Sequence, residues 1–206
     1  MKILALDTSS SRASVAVAED DRILDVRRFD APRGRGAEVF AVLGEMRPQW
    51  LGIERLAVGI GPGAYNGLRA ACALAGSFQL ALGIDVVAVP SACILDVGDS
   101  RYTAVGDARG GRIYRAEILN RRLQGDIALL DHAEFQSSLQ DGCGHPVFRI
   151  GTIPGADFLP SAFPDASILA LVGRHLPPTD PRTMAPIYLK PPHITNPRPR
   201  LVGLEF

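Results

Sequence analysis

Cysteine and tryptophan are scarce in this sequence, and neither basic nor acidic residues are in excess. Its three cysteines, Cys72, Cys93 and Cys143, lie far apart, and none stands in a CxxC pair. So sparse and odd a set excludes a disulfide framework and fits a reducing compartment. Basic and acidic residues number 22 each. A protein that grips nucleic acid alone carries a basic surplus for phosphate, so contact with nucleic acid is expected here only in company with a partner. Long apolar runs are missing as well. The first one, Ile3-Leu4-Ala5-Leu6, stops at Asp7, short of the ~7–15 residues of a secretory leader or the ~20 of a membrane span. A cytoplasmic protein with no membrane partner is the expectation.

What is present belongs to an ordinary globular chain. Hydrophobic residues make up 47% of its 206 positions and charged residues 21%, enough apolar surface for a core without metal or disulfide. Twenty-one glycines and 16 prolines signal many tight turns. Residues 2–7 (KILALD) read as a buried strand entering the small polar turn Thr8-Ser9-Ser10-Ser11. Strands are predicted at Ala13–Ala18 and Ile23–Phe29, a helix over Ala37–Met46, and a strand over Glu54–Ile60 that runs into Gly61-Pro62-Gly63. A small-residue helix comes next, over Leu68–Leu82, capped by Asn66 and ended by Gly83. A strand at Asp85–Val89 and a short helix from Pro90-Ser91 complete this half.

A second half opens the same way. Residues 102–107 (YTAVGD) are a strand ending in a carboxylate, Arg112–Leu119 a second, and Leu123–Leu130 a third with a Gly-Asp interruption. A shift of 100 lays Asp7 on Asp107 and residues 13–18 on 113–118 without a gap. Helices at Ala133–Leu139 and Ala166–His175 flank a strand at Pro146–Ile150, and the Pro-rich stretch 177–199 is expected to run extended. The plan is α/β: two lobes, near 1–100 and 101–206, with the tail free to return to the first. It matches the duplicated ribonuclease-H-like fold of actin, Hsp70 and the sugar kinases (ASKHA). In that fold the first hairpin meets a nucleotide's phosphates with a carboxylate and small hydroxyls. Asp7, Thr8, Ser9 and Ser10 are the matching residues here, with Asp107 the second-lobe counterpart of Asp7, either as phosphate ligands or as self-satisfied turns.

Other chemistry is thinly represented. Gly59-Ile60-Gly61-Pro62-Gly63-Ala64 fits GxGxxG/A with Asp85 about 20 residues on, yet three strands and a helix precede it and Asp85 opens its strand, both wrong for a dinucleotide fingerprint. The four histidines, His132, His145, His175 and His193, are 13, 30 and 18 residues apart, so no helical two-histidine metal pair exists. Arg27, Arg28, Arg33 and Arg35 read as a solvated face or a minor RNA contact, and Arg109 as a partner for Asp107 or an anion. The helices 37–46 and 68–82 offer Val39, Val42, Leu43, Leu68, Ala71, Cys72, Ala75 and Phe78 either to their own sheet or to a partner helix.

Four segments resemble one family. MKILALDTSSSRASVAV is similar to the start of the TsaB (YeaZ) family of tRNA-modification proteins, and LAVGIGPGAYNGLRAACALAGSFQLAL (56–82) to its most diagnostic stretch. GDARGGRIY (106–114) and PIYLK (186–190) resemble its second-lobe hairpin and its C-terminal run. The departure is at Arg33-Gly34-Arg35-Gly36, where members carry a His-Ser/Thr pair. The resemblance implies a non-catalytic relative of the TsaD transferase, which moves a threonylcarbamoyl group onto N6 of adenosine at tRNA position 37 in tRNAs reading ANN codons. It implies pairing with and activation of a TsaD-like subunit, a TsaE-like ATPase joining the pair, tRNA met indirectly, and a homodimer when isolated. No cofactor is implied for this chain, with ATP or ADP and Mg²⁺ reserved for the complex. The alternative is an autonomous kinase or ATPase of the same fold working through Asp7 and Asp107.

Overall fold

The computed structural model describes residues 1–31, 37–140, 142, 144–180 and 182–190. Arg33, Arg35, Cys143, His193 and the tail beyond Lys190 lie outside the described residues.

Strands β1 (Lys2–Asp7), β2 (Arg12–Glu19) and β3 (Arg22–Asp30) form an antiparallel meander, and β4 (Arg55–Gly59) and β5 (Asp85–Val89) add to it in parallel, giving the order β3-β2-β1-β4-β5. This is the ribonuclease-H-like order. β1 and β2 read as near-continuous apolar runs because both faces of the sheet are covered. Leu4, Leu6, Val15, Val17, Leu56 and Val58 face helices α1 (Ala37–Glu45) and α3 (Tyr65–Leu82). Between those helices a four-residue turn of helix, α2 (Arg47–Trp50), escaped the sequence reading.

The opposite face is built of smaller residues, Ala5, Ala16, Ala18 and Ala57 with Ile3, and this lets helix α5 (Ala166–Gly173) approach closely. Gly173 is so near the sheet that a Cβ there would lie 2.8 Å from that of Ala57. Leu169 and Ala170 are fully buried in this layer, and burying one Leu contributes about 2 kcal/mol. Helix α5 therefore packs on the first sheet although it comes after the second lobe in sequence.

The second sheet has the order β10-β6-β7-β8, with β9 also on β7. Its strands are β6 (Arg101–Asp107), β7 (Ile113–Leu119), β8 (Arg122–Leu123), β9 (Ala128–Leu130) and β10 (Val147–Ile150), and helix α4 (His132–Gln140) lies between β9 and β10 in the chain. The repeat is visible in the register: β1 pairs β4 from Ile3↔Arg55, and β6 pairs β10 from Thr103↔Val147. The hairpin turns match too, with Asp20 at φ 51° and Asn120 at φ 50°. Tyr102, Ala104, Ala116 and Ile118 of the second sheet join Ile3, Ala5 and α5 in one shared core.

Three local expectations need correction. The N-cap of α3 is Ala64 rather than Asn66, and alanine has no side-chain acceptor to cap the helix; its N–H donates to the Ser9 carbonyl at 2.6 Å. The third strand of the second lobe divides into β8 and β9 around Gly125, whose φ of +72° breaks extended backbone. Helix α5 stops at Gly173 rather than His175. The end of α3 is as expected: Gly83 adopts φ +67° and its N–H bonds the Gln79 carbonyl.

Past α5 the described chain runs extended along the first lobe. Thr179 bonds the β5 edge through its N–H to Val86 O (2.8 Å) and its hydroxyl oxygen to Ala88 N–H (2.9 Å). Further on, Ile187 N–H reaches Ile60 O.

Candidate functional site

Asp7 ends β1 with its side chain fully buried. Its Oδ1 accepts the Ser9 N–H (2.9 Å) and the Ser9 hydroxyl (2.7 Å), and its Oδ2 accepts the Ser91 hydroxyl (2.6 Å). Ser91 Oγ in turn accepts the Gly61 N–H at 2.9 Å. One carboxylate thus ties together the end of β1, the glycine loop after β4 and the Ser91–Ile94 turn of 3-10 helix that leads to the second lobe. Burial pushes Asp7 above the ordinary carboxylate range, against the opposing hydrogen bonds from Ser91 and Ser9.

The rest of the turn is engaged in the same way. Thr8 Oγ1 donates to Gly67 O at 2.7 Å, and Ser10 Oγ donates to Arg12 O at 2.8 Å. The loop 61–64 and the first turn of α3 lie directly over the turn. A Cβ at Gly63 would fall 2.1 Å from Ser9 O, one at Gly67 2.0 Å from Thr8 O, and one at Gly59 1.8 Å from Asp7 Oδ2. Only glycine permits this approach. The GxGxxG-like pattern is therefore accounted for inside the chain: its glycines admit the protein's own backbone. Asp85 opens β5, exposed, and pairs with Arg55 at 3.2 Å.

Asp107 repeats the local geometry without the enclosure. Its Oδ1 accepts the Arg109 N–H at 2.7 Å, the Arg109 guanidinium stands 3.5 Å from Oδ2, and its side chain is 37% exposed. Arg109 thus faces its own carboxylate. The two hairpins approach each other through Tyr114 of β7, whose ring covers Gly106 and whose hydroxyl pKa is raised by burial first and by the charge of Asp7 second.

These residues do not fit a hydrated metal or a nucleotide phosphate as they stand. Both Asp7 oxygens and the Thr8, Ser9 and Ser10 hydroxyls have partners in the chain, and the backbone of residues 63–67 fills the space above them.

The residues offered to the sheet or to a partner lie as follows. Val39, Leu43, Leu68, Ala71 and Ala75 are buried in the first lobe, and Val42, Cys72 and Phe78 are half-buried, Phe78 against the Trp50 ring at 5.4 Å. The periodicity identified the inward face of each helix. Outward stand Phe40 on α1, 56% exposed, and Leu80 on α3, 90% exposed, while Leu82, 52% exposed, ends the helix on the other side of its axis. One turn before Leu80, nothing lies within 4 Å of a Cβ added at Gly76.

Two features were missed in the sequence. Ser91 is the partner that seals Asp7, and its signal was only a serine after a strand-ending proline. Arg28, read as one of a basic run, forms a 2.6 Å ion pair with Asp165, the N-cap of α5. It binds β3 to that helix instead of facing solvent alone.

No family model matches the chain. A curated relative, the tRNA threonylcarbamoyladenosine biosynthesis protein TsaB of Bacillus subtilis, is 30% identical over 125 residues, 55% of this chain and about half (53%) of that protein. Two solved structures from Pseudomonas aeruginosa match nearly end to end. YeaZ is 25% identical with a TM-score of 0.73 over 91% of this chain and 99% of its own. A protein described as similar to peptidase YEAZ is 26% identical with a TM-score of 0.69 over 92% and 99%. With the four motifs in order and the ribonuclease-H-like sheet, these matches show a chain similar to TsaB and YeaZ proteins, along about half of the curated relative and nearly all of the two solved structures.

Proposed function

We propose that this chain serves tRNA threonylcarbamoyladenosine biosynthesis as a non-catalytic subunit that pairs with a TsaD-type transferase and raises its activity, with a TsaE-type ATPase joining the pair. The observation that carries this reading is the sealed first hairpin within a fold matched to YeaZ along nearly its whole length. The glycine loop over the first hairpin speaks against the autonomous kinase or ATPase, and in this reading any ATP, ADP or Mg²⁺ of the assembly belongs to other subunits.

The docking face in this reading is the outward side of α1 and α3. Phe40 and Leu80 are large apolar residues in water, and Gly76, one turn before Leu80 on the same side of α3, leaves room for another helix to come close. A two-fold homodimer of the isolated chain reuses the same patch on both copies. The test is co-expression with a TsaD-type subunit and then sedimentation: the pair is expected to co-sediment, and Leu80→Arg to separate it while the circular dichroism spectrum stays unchanged. A pair that survives both Leu80→Arg and Phe40→Arg removes this face from the reading.

A further inference from the structure

The tail and the start of α3 bring together two tyrosines that stand 123 residues apart in the chain. Tyr65 and Tyr188 stack with ring centroids 5.1 Å apart and an interplanar angle of 33°. They remain 39% and 43% exposed, so part of each side chain stands in solvent. The Arg69 guanidinium lies 5.3 Å from the Tyr65 centroid and donates to its hydroxyl at 3.0 Å. Two residues beyond Tyr188, Lys190 donates its Nζ to Arg109 O, which carries the cationic row across to the second-lobe hairpin. The carboxylate at that end, Asp107, is already paired with Arg109.

We propose that Tyr65, Tyr188, Arg69 and Lys190 form a stacking platform for an unpaired base in a single-stranded RNA loop, a direct contact that rests on the proposed tRNA role. Exposed aromatic faces flanked by cations are what unpaired bases and their phosphates require, since every base has a π face and every link a negative charge. The first turn of an 18-residue helix adds partial positive charge at the same spot. The patch is also separate from the apolar docking face. Leu80 is 15 residues further along α3, about 22 Å at 1.5 Å per residue. A partner seated around Leu80 leaves the tyrosines open.

The experiment is fluorescence anisotropy of a labelled tRNA anticodon stem-loop with the full chain at low salt. Wild-type protein is expected to bind, Tyr65→Ala and Arg69→Ala to bind about tenfold more weakly, and Tyr65→Trp to bind as well as wild type. Lys190→Ala is expected to lower the salt dependence by about 0.7 in log–log slope. No binding by the wild type overturns the platform, as does full affinity in a folded Tyr65→Ala variant. Equal losses in Tyr65→Trp and Tyr65→Ala also overturn it, because they show that the tyrosine only anchors the tail. If Tyr65→Ala loses the transferase while RNA affinity is intact, the patch is a protein contact and the proposal fails. The tRNA role fails separately, by unchanged modification after depletion, which leaves RNA binding by the isolated chain standing.

Discussion

Asp7 and Asp107 end equivalent strands 100 residues apart, and each accepts the backbone N–H two positions on, at 2.9 and 2.7 Å. Everything beyond that shared turn differs. Asp7 is buried with three donors and a lid of glycine backbone, while Asp107 is a surface residue with one arginine. The difference comes from the segment after each lobe's parallel strand. β4 leads straight into α3, whose first turn lies on the Thr8–Ser9 backbone. β10 leads into an irregular stretch, residues 151–165, and the next helix, α5, packs on the first sheet. A duplicated hairpin thus keeps its local geometry and takes its chemistry from neighbours far away in sequence.

The largest expected effect lies at the lid. Gly67→Ala puts a Cβ 2.0 Å from the Thr8 carbonyl, where backbone must move, so a loss of about 3 kcal/mol is expected. Gly111→Ala in the second hairpin meets open space and loses only about 1 kcal/mol, through its φ of +69°. Urea denaturation compares the two, and equal losses would erase the distinction between the hairpins.

Next is the carboxylate itself. Asp7→Ala leaves the Ser9 N–H and the Ser91 hydroxyl unpaired in the interior and is expected to lose about 2–3 kcal/mol, against less than about 0.5 kcal/mol for Asp107→Ala. Urea midpoints of the two variants check the ranking, and a larger loss at Asp107 would reverse it.

A smaller effect separates Asp7 from Asp165 by pH. The folded pKa of Asp7 is raised above 3.8, so its stabilising contribution is complete below that value and is lost as pH rises through the folded pKa. For Asp165, burial raises the pKa, but the hydrogen bonds from Ser167 and Arg28 outweigh it and hold the group below 3.8. Its contribution is present above 3.8 and is lost as pH falls through the folded value. The advantage of wild type over Asp7→Asn should therefore grow as pH falls from about 7 to about 4, and that of wild type over Asp165→Asn should shrink at the acid end of the range. Urea midpoints at several pH values read both slopes, and slopes of the same sign would contradict the burial assigned to Asp7.

The smallest effect on stability is expected at the outward face: Leu80→Arg changes it by less than about 0.5 kcal/mol, since the residue is 90% exposed.

The strands, the repeat and the Gly83 stop were legible because alternation, turn residues and a left-handed cap are local. The seal over Asp7 was not, because Ser91 and Gly67 reach it from 84 and 60 residues away. Helical spacing located the apolar stripe of α3 but left it open between its own sheet and a partner, and Leu68, Ala71 and Ala75 are buried within the first lobe. Alanine suits either contact, and only the position of the sheet decides.

The most direct measurement of the central claim is mass spectrometry of tRNA nucleosides after depletion of this protein in its host, with rescue by variants. Depletion is expected to lower threonylcarbamoyladenosine, wild type and Asp7→Asn to restore it, and Leu80→Arg to fail although it folds. Unchanged modification after depletion, or rescue by Leu80→Arg with loss in a folded Asp7→Asn variant, would contradict a subunit that acts through its outward helices and not through its first hairpin.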